Sequence, residues 1–164
     1  GTWTARLSIS DGKAPAVVRT KTFLVRALGV QGYVRHTDEW EANRLRYNEK
    51  YPENPRPPDW FWAGEAFVLE ADVTDTQNSG TKAVSVTVEA DRGLRKQLAP
   101  AAGSAVRWES LLRSDDQVKL YELPEGTYTF VFTATYSNGA VKTSAVTVRL
   151  QNTVDEFWGV HRVR

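Results

Sequence analysis

Apolar and polar residues alternate with a period of two along most of this chain, the spacing of half-buried strands. Glu65 to Asp75 (EAFVLEADVTD) puts Phe67, Leu69, Ala71 and Val73 on one face. Lys82 to Asp91 (KAVSVTVEAD) puts Val84, Val86 and Val88 on one face. Gly29 to His36 alternates more weakly, and Val106 to Leu112 and Val118 to Leu123 are shorter candidates. One stretch departs from this rhythm. From Asp38 to Lys50, Trp40, Arg44, Tyr47 and Tyr51 fall on one stripe at helical spacing, joined by Leu45. Asp38 is the expected N-cap, with Glu41 three residues on as in a capping box. Pro52, Pro55, Pro57 and Pro58 then end the helix and hold an extended loop.

The end of a strand pair occurs twice. Residues 1–26 (GTWTARLSISDGKAPAVVRTKTFLVR) and residues 126–149 (GTYTFVFTATYSNGAVKTSAVTVR) both open on Gly-Thr-aromatic-Thr. Each runs as an alternating strand to a turn, at Asp11-Gly12 or Asn138-Gly139, and returns on a second strand that closes on Val-Arg. Asp-Gly and Asn-Gly between alternating runs are hairpin signals, because both turn residues tolerate positive φ. The spacing of roughly 125 residues predicts a tandem array. Residues 1–26 are then the closing hairpin of a preceding module, and 27–150 are a whole module with an insertion at 36–62. Residues 151–164 are a tail or a linker to a next module. The alternative is one domain with two similar hairpins. Counting the final hairpin gives about seven strands, the expectation for an antiparallel sandwich. The lack of long helices between them argues against a parallel α/β sheet.

Composition narrows the functional classes. Of the 164 residues 41% are hydrophobic and 25% charged, an ordinary globular balance. With 21 basic and 20 acidic residues the net charge is +1, which favours neither nucleic acid nor an anionic membrane as partner. No apolar run reaches the ~18 residues of a membrane span. There is no Cys, so disulfides, thiolate metal sites and thiol catalysis are excluded. There is no Met either, which predicts a fragment or a processed product of a longer chain; if that chain is exported, its targeting signal lies outside this segment.

The run Leu123-Pro124-Glu125-Gly126-Thr127-Tyr128-Thr129, continued to Asn138-Gly139, resembles the closing hairpin of bacterial immunoglobulin-like and PKD-like repeats. Ala63 to Ala71 (AGEAFVLEA) resembles a strand near the start of the same modules. The resemblance implies an all-β, immunoglobulin-like β-sandwich, here with a short helical insertion at about residues 38–50. It further implies an extracellular or cell-surface bacterial protein, in which such modules are spacers, adhesin stalks or accessory domains. It carries no catalytic residues with it. Residues 36–62 depart from the family, whose simple repeats lack a helix and a proline- and tryptophan-rich loop.

Four kinds of chemistry are conceivable. Trp60 and Trp62, two apart in an extended segment, face the same way with Phe61 opposite. With Trp40 and Tyr47 nearby and Arg56, Asp59 and Glu65 at the rim, they form a candidate platform for a polysaccharide or cell-surface glycan. The competing reading packs these rings between the helix and the sandwich edge. Asp72 and Asp75, with Asp115 and Asp116 near a turn, are weak calcium candidates without EF-hand spacing, and no other cofactor is expected. Asp59 with Glu65, Glu39 with Glu41, or His36 as base are the acid-base options. No nucleophile elbow, HExxH or phosphate-binding loop accompanies them, and the second histidine is His161, so no enzyme is expected. Phe157 and Trp158 in the apolar tail are candidates for self-association. The expected role is a non-catalytic structural or adhesive module whose partners are its neighbours in the chain. The alternatives are a carbohydrate-binding module and a fibre subunit assembled by strand exchange.

Overall fold

The computed structural model describes residues 2–13, 15–24, 27–62, 64–74, 80–113 and 123–151. In chain order the strands are β1 (Thr2–Ile9), β2 (Val17–Leu24), β3 (Gly29–His36), β4 (Trp60–Trp62), β5 (Phe67–Thr74) and β6 (Ala83–Ala90). They continue as β7 (Leu94–Gln97), β8 (Ala99–Pro100), β9 (Arg107–Leu112), β10 (Gly126–Tyr136) and β11 (Val141–Gln151). A single helix, α1 (Asp38–Lys50), lies between β3 and β4, so the fold is mostly β as the alternation requires. The candidate strand at Val118 to Leu123 lies outside the described residues except for Leu123, which is buried.

The strands form three sheets. One has the order β3-β5-β9-β8, another β4-β11-β10-β6-β7, and β1 and β2 pair with each other alone. Neighbours pair antiparallel except β4, which runs parallel to β11 with Trp60, Phe61 and Trp62 opposite Arg149, Leu150 and Gln151. The four- and five-stranded sheets line one core. Phe67, Leu69, Ala71, Val73 and Leu112 come from the first; Val86, Val88, Phe130, Phe132, Ala134, Val148 and Leu150 come from the second. Each set is a period-two stripe, because successive side chains of a strand point to opposite faces.

Two local features adjust the expected pattern. Val84 does not share the buried face of Val86 and Val88; it is 58% exposed. A bulge explains this: Thr135 pairs with Ser85 but Tyr136 pairs with Ala83, so Val84 is the extra residue and Ala83 takes its place against the core. Gly32, on the inner face of β3, lies against Phe132; a Cβ there would sit 2.1 Å from the ring. The absence of a side chain lets the two sheets approach at that point.

The helix has the expected bounds, but its cap is Thr37 rather than Asp38. Thr37 has extended backbone geometry, and its hydroxyl accepts from Trp40 N–H at 3.5 Å. Asp38, Glu39 and Glu41 then occupy the first turn, where negative charge favours the helix dipole. Leu45 is 49% exposed rather than part of the stripe. It sits five positions after Trp40, about 140° round the helix.

Candidate functional site

The insertion between β3 and β5 is where the fold gathers its unusual chemistry. The chain leaves the four-stranded sheet at His36, makes α1 and the proline loop, and enters the five-stranded sheet as β4. Phe61 joins the main core, while Trp62 packs on Trp40 from the helix, with ring centroids 5.8 Å apart. The opposite facing of Phe61 and Trp62 thus divides two apolar clusters.

Polar side chains of the helix hold the loop in place. The Arg44 guanidinium donates to both Glu41 carboxylate oxygens, at 2.8 and 2.6 Å, and to the Arg56 carbonyl at 2.8 Å. That pairing holds Glu41 below the usual carboxylate range. Asn48 donates to the same carbonyl at 3.2 Å and accepts from Arg56 N–H at 2.7 Å. Arg44 can therefore be buried although it is charged.

At the root of the insertion lies a buried titratable couple. His36 Nδ1 and Glu65 Oε1 are 2.6 Å apart and share a hydrogen bond, with the two side chains 3% and 0% exposed. Glu65 Oε2 accepts from Trp62 N–H at 3.2 Å, and the His36 ring stacks on Phe61 at 4.1 Å. Burial pushes the Glu65 carboxyl above its ordinary range, against the opposing pull of the His36 hydrogen bond. Buried His36 Nε2 meets no hydrogen-bond partner among the described residues. A cavity of about 270 Å³ opens beside the couple, lined by Val34, Arg35, His36, Asp38, Glu41 and Pro58. The couple ties β3 to β4 and to the start of β5, and its Nε2 is closed off by packing. Its chemistry is that of a buried hydrogen-bonded clasp.

The candidate residues sort differently from their expected roles. Trp62 and Trp40 are each only 7% exposed, so an exposed coplanar pair with Trp60 does not form. Trp60 is half-buried, with the Arg149 guanidinium 4.7 Å and that of Arg56 6.0 Å from its ring centroid. Arg56 also lies 5.1 Å over Tyr47. The packing reading therefore describes this cluster, because a helix carrying an aromatic stripe must cover it. Asp59 is exposed, and its carbonyl accepts from Arg149 N–H at 2.9 Å. Neither acid-base pair forms as expected, since Glu65 is engaged by His36 and Glu41 by Arg44.

Asp72 accepts two hydrogen bonds from Arg107, at 3.0 and 3.2 Å, rather than presenting a free carboxylate for calcium. Among the described residues, no group of three or more His, Cys, Asp or Glu could hold a metal ion. Asp75, Asp115, Asp116, Phe157, Trp158 and His161 lie outside the described residues.

The sequence offers His36 and Glu65 only as separate candidates, and nothing local joins them. His36 ends β3 and Glu65 lies two residues before Phe67 of β5, both at inward parity, which is the signal that could have paired them. They are 29 positions apart, and only the β3–β5 register brings them together. No protein-family model matches the chain, and no curated protein is significantly similar to it.

Proposed function

We propose that residues 27–151 are an immunoglobulin-like sandwich serving as a non-catalytic structural or adhesive unit of a multi-domain bacterial surface or secreted protein. Strand order supports the architecture. Taken in chain order as A, B, C, C′, D, E, F and G, with β3 and β4 as the two parts of the first, the strands sort into A-B-E-D and G-F-C-C′. Tyr128, near the start of the F-equivalent strand, donates its hydroxyl to the Pro124 carbonyl at 2.8 Å. That is the hydrogen bond of a tyrosine corner. The surface setting rests on the resemblance of residues 63–71 and 123–139 to bacterial repeats.

One observation carries the structural role. Five aromatic and titratable groups in and beside the insertion are spent inside the protein: Trp40, Phe61, Trp62, His36 and Glu65 are buried. A sugar platform needs exposed ring faces, and a general base needs reach to a substrate. A glycan array probed with the full chain tests the assignment. The expected result is no binding; a reproducible hit lost in a folded Trp60→Ala variant would overturn it.

A further inference from the structure

We infer that β1–β2 is the closing hairpin of a second immunoglobulin-like unit, and that its apolar face fits the open core of that unit. The inference rests on the reading of residues 27–151 given above, and extends it to the partner.

The two hairpins share one register. Trp3 pairs with Phe23 as Tyr128 pairs with Val148, and Thr4 pairs with Thr22 as Thr129 pairs with Thr147. Both members of each pair are displaced by the same 125 positions. The Thr hydroxyl oxygens are 3.4 Å apart in both hairpins. A shared offset on both strands means that the two ladders coincide residue for residue, which similar composition alone does not produce.

Their surroundings differ. In β10–β11 the core-facing Tyr128, Phe130, Phe132 and Ala134 are each at most 4% exposed. β6 pairs antiparallel on the free edge of β10, and β4 pairs parallel on that of β11. The equivalent positions of the first hairpin are Trp3, Ala5, Leu7 and Ile9. Trp3, Leu7 and Ile9 are 60%, 59% and 62% exposed, and among the described residues β1 and β2 pair only with each other. An isolated two-stranded hairpin is marginal in water, and a contiguous exposed apolar face marks an interaction surface.

The partner's chemistry follows from the same comparison. It presents an apolar sheet face, an antiparallel edge for β1 and a parallel edge for β2. Arg19 and Lys21 lie opposite Leu7 and Ala5 on that same face, where β11 has the half-buried Ser144 and Val146. Residues 2–24 hold four basic residues to one acidic, so the partner is acidic along the side that meets β2. A second copy of this unit does not offer that slot, because its own β10–β11 fills it. Only residues 25–28 separate the two units, and Leu28 packs against the second core.

The test fuses residues 27–125 directly before Gly1 of the full chain, which restores the spacing of the native junction at Glu125-Gly126. Amide exchange in β1–β2 is expected to slow by about 100-fold or more relative to the unfused chain, and Trp3 emission to shift to the blue. A control carries residues 27–151 directly before 27–164. Two folded units in the control, with β1–β2 still unprotected in the hybrid, overturn the inference. An upstream copy that stays unfolded in the control instead brings down the reading of 27–151 as a unit. A dimer of the unfused chain that Trp3→Asp abolishes would make a second copy the occupant, which also overturns the inference.

Discussion

At the scale of single residues, the sharpest consequences sit where no room or no partner is left over. Gly32→Ala places a methyl against the Phe132 ring, which β10 cannot move without disturbing the core. We expect a loss of about 1–3 kcal/mol in urea denaturation, the cost of overpacking a tight interior. Tyr128→Phe removes one hydroxyl and leaves the Pro124 carbonyl without that bond, which should cost about 1 kcal/mol by the same measurement. Glu65 gives a pH signature. Its folded pKa lies above the ordinary carboxylate value, so the stability tied to its proton is complete below that value. That stability is lost as pH rises through the raised one. His36 and Glu41 are the titratable neighbours that act on it. Glu65→Gln keeps the size and removes the titration. The stability of the variant relative to the parent should therefore climb with pH above the ordinary carboxylate range and then level off. A difference that is flat across denaturation series at several pH values would contradict this account.

At the scale of elements, the insertion behaves as a brace between the two sheets. α1 contributes Trp40 to a small apolar cluster and Arg44 and Asn48 to the loop at Arg56, while β4 adds an edge to the five-stranded sheet. Trp62→Ala should cost about 3–5 kcal/mol, because it empties the space beneath the helix. Thermal melts should register it as a lower midpoint. Arg44→Ala leaves the Arg56 carbonyl short of a donor and should cost about 1–3 kcal/mol. The helix was legible in the sequence because its bounds are written locally, in the stripe of Trp40, Arg44 and Tyr47 and the proline run after it. Its role was not. The same aromatic residues suit an exposed platform or a buried seam, and only the position of β4 beside β11 settles that Trp62 faces the helix. The cap moved by one residue, from Asp38 to Thr37, because both side chains can accept a hydrogen bond at a helix start.

At the scale of the whole molecule, nine strands among the described residues form two sheets around one core, and β1 and β2 form a separate pair. In the chain as it is, amides of β1–β2 should exchange faster than those of β10–β11 despite their matched ladders, since only the second pair is covered. The local alphabet of this fold can be read directly from the chain: the period-two stripes, the helix between Asp38 and Lys50, and the repeated Gly-Thr-aromatic-Thr hairpin. These are set by the alternation of side chains along a strand, by proline sterics and by turn residues, all acting within a few positions. Tertiary structure alone decided the rest. It paired β3 with β5 across the insertion and laid β4 parallel on β11. It also made a clasp of His36 and Glu65, and turned Val84 outward at a bulge. Each of these depends on which distant surfaces exclude water together, a condition that no short stretch of sequence contains.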